Sequence, residues 1–172
     1  MLEYNNKLSE IIDHCISNAK KKGATDVEVG IVKSTAETVS FRNKKLDESE
    51  RSENIGLSLT AYINKKKNSV LSSNLKTDNL ENLIERCVEA AKITPEDEFN
   101  SLPDEELFFK NSDELDLFDE THLENNQKID YLKEAEEVAF KNKEIVNTNG
   151  SSFSESKTEV VLGNSKGFKN GY

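Results

Sequence analysis

Two stretches of the chain carry the same apolar spacing, and they bracket a region where the spacing is different. Leu8, Ile11, Ile12, Cys15, Ile16 and Ala19 recur at i, i+3, i+4, i+7, i+8 and i+11, which lines one face of an α-helix. Leu80, Leu83, Ile84, Cys87, Val88 and Ala91 repeat that pattern step for step. Between them the period falls to two. Val27, Val29 and Ile31 alternate with Glu28, Gly30 and Val32, Val39 and Phe41 flank Ser40, and Ile55, Leu57, Leu59, Ala61 and Ile63 alternate with small or polar neighbours. Such runs are strands with one buried face. One-faced helices need an apolar surface to lie on, and a one-faced sheet needs a cover. The expected fold class is therefore α+β, an antiparallel meander sheet covered by two amphipathic helices.

The punctuation agrees with this layout. Lys20, Lys21 and Lys22 suit the negative end of the first helix, over residues 7–22, and Gly23 is placed to stop it in a left-handed conformation. The polar tip Asn64 to Asn68 leads into Ser69, Val70, Leu71 and Ser72 as a hairpin. Its lysines, Lys65, Lys66 and Lys67, read as a solvated, gatekeeping turn. Leu46 to Ser52 reads as a further polar strand near an edge. Asp78, with Glu81 three residues on, is an N-cap candidate for the second helix. Thr94-Pro95 ends that helix, because a residue before proline is disfavoured in the helical region. Residues 1–95 are read as an N-terminal α+β domain.

Residues 96–120 change character. They contain Pro103, many carboxylates and short apolar spots at Leu107-Phe108-Phe109 and at Leu115, Leu117 and Phe118. This is read as an acidic linker docking through those spots. Thr121-His122-Leu123-Glu124 fits the capping box S/T-x-x-E, opening a third helix to about Asn142 with Ile129, Leu132, Ala135, Val138 and Ala139 on one side. Ile145-Val146, an Asn149-Gly150 turn and a strand from Thr158 to Leu162 follow. Gly163 to Gly167 form a turn, and Phe168 to Tyr172 a returning strand. No further helix is left to cover this hairpin, and two or three strands are marginal alone. Residues 121–172 are thus expected to be the first strands of a truncated second domain.

Composition excludes several functions. Hydrophobic residues make up 34% of 172 and charged residues 33%, and mean hydropathy is −0.72. That is lean for one compact core, which fits long polar connections. A net charge of −10 argues against nucleic acid and anionic membranes, whose phosphates need clustered Lys and Arg. Met1 to Asn6 lack the basic and apolar regions of a signal peptide. No apolar run approaches the ~20 residues of a membrane-spanning helix. Two cysteines make a poor disulfide scaffold. The chain is read as cytoplasmic.

The catalytic vocabulary is sparse. The histidines are His14, on the polar face of the first helix, and His122, at the start of the third. There is no H-E-x-x-H, H-E-x-x-x-H or C-x-x-C, and no phosphate-loop, dinucleotide or nucleophile-elbow motif. His14 and Cys15 are adjacent, so on a helix they point ~100° apart and do not face each other. Cys15 and Cys87 both lie in the apolar stripes, where cysteine is a small hydrophobe. Asp113, Asp116 and Asp119 lack the Gly and the spacing of a calcium loop. The expected catalytic, cofactor-binding and metal-binding residues of this chain are none.

Gly23-Ala24-Thr25-Asp26-Val27-Glu28-Val29, Phe41-Arg42-Asn43 with Asp47, and Gly56 to Tyr62 together resemble the TldD/PmbA family of peptidases. Ser72-Ser73-Asn74-Leu75 is similar to a further family segment, and Asp113 to Phe118 to the D-L-D-L-F of the PmbA branch. Ile145 to Phe153, Gly163 to Gly167 and Gly171-Tyr172 complete the resemblance, which covers essentially the whole chain and favours the TldE (PmbA) branch. It implies the N-terminal part of a protein of about 450 residues, with 121–172 beginning a central domain. It further implies a TldD-like partner subunit that carries zinc in an H-E-x-x-x-H motif, and unfolded peptide as substrate. No residue here matches that motif, so no catalytic position is carried over.

Two other readings remain at this point. One is a stand-alone peptide-binding or interaction module without enzymatic role. The other is a thiol-dependent enzyme using Cys15 or Cys87.

Overall fold

The computed structural model describes residues 6–109 and 116–172. The opening Met1 to Asn5 and the stretch 110–115, with Asp113 of the calcium-loop candidate and the first half of the Asp113 to Phe118 segment, lie outside the described residues. In chain order the elements are α1 (Asn6–Lys21), β1 (Asp26–Arg42), β2 (Lys45–Ile63), β3 (Lys66–Ser72), α2 (Thr77–Ile93), a 3-10 turn (Glu105–Leu107), α3 (Asn125–Phe140), β4 (Ser151–Asn164) and β5 (Lys169–Gly171). The strands form one five-stranded sheet in the order β3-β2-β1-β4-β5. It is the α+β architecture that the periodicities imply.

The strands are longer than the apolar runs that announce them. The pieces at 27–32 and 39–42 are one strand, and Leu46 to Ser52 runs without a break into Ile55 to Ile63. Only two-residue turns interrupt the path from Asp26 to Ser72. Asn43-Lys44 and Asn64-Lys65 all have positive φ, 51° and 63°, then 47° and 67°. This is the twist-matched geometry of a tight hairpin, and asparagine tolerates it better than most residues.

Packing divides the described residues into two units, one of residues 6–33, 54–109 and 159–172, the other of Ser34–Glu53 and Asp116–Thr158. In the first, Leu8, Ile12, Cys15 and Ala19 of α1 and Leu80, Ile84, Cys87, Val88 and Ala91 of α2 are buried with Val27, Val29, Ile31, Leu57, Leu59 and Ala61 of the sheet. Gly23 has φ 104°, and Ala24 N–H returns to the Ala19 carbonyl at 3.0 Å, closing α1 as expected.

The last hairpin is not left uncovered. Val161 belongs to the core under α1 and α2, and Lys169 Nζ donates to Ser9 Oγ at 3.0 Å and to Asp13 Oδ1 of α1 at 2.5 Å. β4 lies beside β1, where Ser165 N–H donates to the Val27 carbonyl at 2.8 Å and Val27 N–H to Ser165 Oγ at 3.0 Å. The helix that covers this hairpin is the first in the chain, about 150 residues away in sequence.

Residues 96–109 dock on the first unit through fewer apolar contacts than expected. Leu102 is buried, and Phe108 packs on Phe168 with ring centroids 5.4 Å apart. Leu107 and Phe109 remain exposed. Polar bonds complete the docking: Lys166 Nζ donates to the Pro103 carbonyl at 3.0 Å, and Asp97 N–H to the Lys65 carbonyl at 3.0 Å.

Both expected N-caps move. α2 begins at Thr77 with Lys76 as its cap residue, because Asn74 Oδ1 accepts the Lys76 N–H and turns the chain earlier. Asp78 instead lies in the first helical turn, where a carboxylate still suits the dipole. α3 starts after Glu124, whose capping box is with Gln127. Thr121 N–H is taken by Asp119 Oδ1 at 2.8 Å, which holds that segment outside the helix.

The inward face of α3 also differs from the expected stripe. Ile129 and Leu132 pack with Val39, Phe41 and Phe153. Val138 is exposed, while Lys128 and Glu136 are buried. The reason is that this face lies over charged and backbone groups of the second unit.

Candidate functional site

The thiols come first, because they are the strongest nucleophiles the chain has. Both are buried. Burial pushes the Cys15 thiol up to about 11. It also raises Cys87, against weaker lowering by bonds from the Ala61 backbone and Asn68. Cys87 Sγ donates to the Asn68 carbonyl at 3.2 Å. A thiol held protonated is a poor nucleophile. Neither cysteine is expected to react with a maleimide near neutral pH in the native chain, and both are expected to react in guanidinium chloride. Rapid native labelling of either would show that its stripe does not pack as described.

The histidines do not join them. His14 bonds to Asn18 at 3.0 Å and lies 4.0 Å from Glu81, whereas His122 is exposed near Glu124 in the second unit. Among the described residues no three His, Cys, Asp or Glu side chains converge as metal ligands. The described residues therefore offer no set of ligands that fits a zinc ion.

The buried polar chemistry lies elsewhere, in the second unit. Lys128 is 1% exposed. Its Nζ lies 2.8 Å from Glu155 Oε1 and 3.3 Å from Glu37 Oε2, and 5.8 Å from the Phe153 ring centroid. Burial disfavours its charge, but hydrogen bonds to the two carboxylates, helped by their charges, outweigh that and raise its pKa. The bond from Lys128 holds Glu155 below its usual value. Glu136 clamps the β1–β2 turn: its carboxylate accepts from Asn43 N–H, Lys44 N–H and Thr148 Oγ1, each at 2.7 Å. Burial opposes its charge, and these bonds win, so its pKa is lowered. Every bond is satisfied within the unit, so these groups position a hairpin and a helix.

The apolar periodicity of the sequence does not single these charges out. The only local trace is that a Lys and a Glu interrupt the apolar stripe of α3 at i and i+8.

The family model described as PmbA/TldA metallopeptidase domain 1 matches residues 27–91, and the PmbA/TldA metallopeptidase central domain matches residues 118–172. The chain belongs to the PmbA/TldD family. A PmbA homolog from Buchnera aphidicola, named a metalloprotease, is 35% identical over 144 residues, covering 82% of this chain and 32% of that protein. Among solved structures, a candidate modulator of DNA gyrase from Bacteroides thetaiotaomicron superposes with TM-score 0.87 at 24% identity, over 100% of this chain and 39% of that one. TldE from Thermococcus kodakarensis superposes with TM-score 0.75 at 15% identity, over 94% and 36%. These likenesses of low identity concern the fold. The PmbA/TldD chain described here thus corresponds to the N-terminal portion of its relatives and spans about a third of their length. Among its described residues no helix is long and apolar enough to cross a membrane.

Proposed function

We propose that this chain is the N-terminal part of a TldE/PmbA-like subunit of a cytoplasmic, heterodimeric zinc metallopeptidase that acts on unfolded peptides. Its role is to build the subunit and help enclose the peptide, with zinc and catalysis supplied by a TldD-like partner. The observation that carries this is the order of the matches, family domain 1 followed by the central domain, on a fold shared with a TldE. The division of the sequence into 1–95, a linker at 96–120 and a central domain begun at 121–172 is proposed on the same ground.

The test is co-purification. The full-length protein that contains this chain is co-expressed with a tagged TldD-like subunit and assayed on an unfolded protein. Joint elution, with zinc-dependent cleavage that survives Cys15→Ala and Cys87→Ala, is the expected result. No association with any TldD-like subunit, or cleavage by the full-length protein alone, would remove the reading.

A further inference from the structure

We propose that the outer edge of β3, from Ser69 to Leu71, is a docking edge for an extended peptide. This rests on the peptide-handling role proposed above and gives it a place on this chain. β3 is an outermost strand of the sheet, with β2 as its neighbour. Its register to β2 pairs Ile63 with Lys66, Ala61 with Asn68, Leu59 with Val70 and Leu57 with Ser72. A two-residue hairpin turn makes the flanking Ile63–Lys66 pair hydrogen-bonded, and antiparallel pairs then alternate. Lys66, Asn68, Val70 and Ser72 therefore bond to β2, while the backbone groups of Lys67, Ser69 and Leu71 point outward.

The first of these is engaged: the Lys67 carbonyl accepts the Thr94 hydroxyl at 3.2 Å. Beyond the last, Ser72 Oγ bonds with Asn74 and turns the chain away. Between those limits, no turn, loop or side chain among the described residues takes up the N–H or C=O of Ser69 or Leu71. The same two residues are exposed, and Leu71 is 80% exposed, the largest apolar surface on the strand. Val70 between them packs toward the core, so Ser69 and Leu71 lie on the sheet face away from α1 and α2.

This edge states what it accepts. Its outward N–H and C=O groups are matched by the main chain of any extended segment, with little dependence on sequence, and Leu71 adds a contact for an apolar side chain. A rigid partner is a poorer fit. An edge of three residues buries far less than the ~1,200 Å² of a stable protein interface, so a second copy of the chain gains too little there.

The test uses the full chain and a fluorescent peptide of alternating Thr and Val, followed by anisotropy. Saturable binding is expected, weakened about tenfold or more when the peptide amides are N-methylated, because the donors that pair with the outward carbonyls are lost. Ser69→Pro is expected to weaken binding similarly with an unchanged melting curve, since its N–H faces outward and contributes nothing to the β2 ladder. If that variant unfolds, the N-methylated peptide on the unaltered chain still decides. Equal binding of both peptides, or no saturation, overturns the proposal. A concentration-dependent dimer that competes with the peptide and is lost in Ser69→Pro overturns it in favour of a second copy. Failure here with a TldD-like subunit still co-purifying removes the edge and leaves the subunit reading intact.

Discussion

Replacing Lys128 by Ala is expected to destabilise the chain by about 3 kcal/mol at neutral pH, the lower end of the cost of removing one member of a buried ion pair. The loss is large because Lys128 is 1% exposed and sits between two carboxylates. Without it, Glu37 and Glu155 face each other across a cavity left by the lysine stem. It is at the lower end because the Glu155 side chain is 36% exposed and water can reach it. For a chain of this length the loss is about 6–12 °C in melting temperature. Lys133→Ala is the control. Its ion pair with Asp130 is at the surface, so a change within about 0.5 kcal/mol is expected.

The effect of pH has a definite sign. Glu155 is held below its ordinary value of 4.5, so its contribution is present above 4.5 and disappears as pH falls through its lower folded value. Lys128 is raised above 10.5, so its contribution is present below 10.5 and is lost as pH rises through its higher folded value. The gap between wild type and Lys128→Ala should therefore be full at neutral pH and narrow below 4.5, because protonated carboxylates no longer repel. Denaturant melts at neutral and acid pH measure it. Equal melting of the two proteins at neutral pH would mean that the cluster is solvated.

A double-mutant cycle between Ile12 and Gly163 should show strong coupling. A Cβ built on Gly163 lies 2.6 Å from Ile12 Cγ2, so Gly163→Ala overpacks the core under α1 and is expected to cost about 1–2 kcal/mol. Ile12 is fully buried, and Ile12→Ala is expected to cost about 3 kcal/mol through the cavity it leaves. In the double variant the new methyl occupies part of that cavity. The combined loss should then fall short of the two single losses by about 1 kcal/mol or more. Strict additivity would show that the start of the chain and its last hairpin are not in contact.

That contact also marks the limit of what the sequence could tell. The two equal stripes were readable as helices, and their cysteines as core residues, because a helix repeats its buried face every 3.6 residues whatever it packs against. Gly23 was readable as a helix stop, since a left-handed residue is needed where α1 ends. The family resemblance was readable too, because it rests on segments spread along the chain.

Other features depend on partners that local patterns do not name. Asp78 and Thr121 looked like caps, but side chains of Asn74 and Asp119 captured nearby N–H groups first. The apolar stripe expected for α3 did not include Lys128 or Glu136, and they are buried because carboxylates and N–H groups from residues 37, 43, 44 and 155 meet them. The outer edge of β3 could be named only once the sheet order was known. Periodicity records whether a residue faces inward, and that is decided within a few residues. Which strand lies beside which, and which charge is neutralised, is decided between groups as far apart as Val27 and Ser165, where only the folded chain brings the two together.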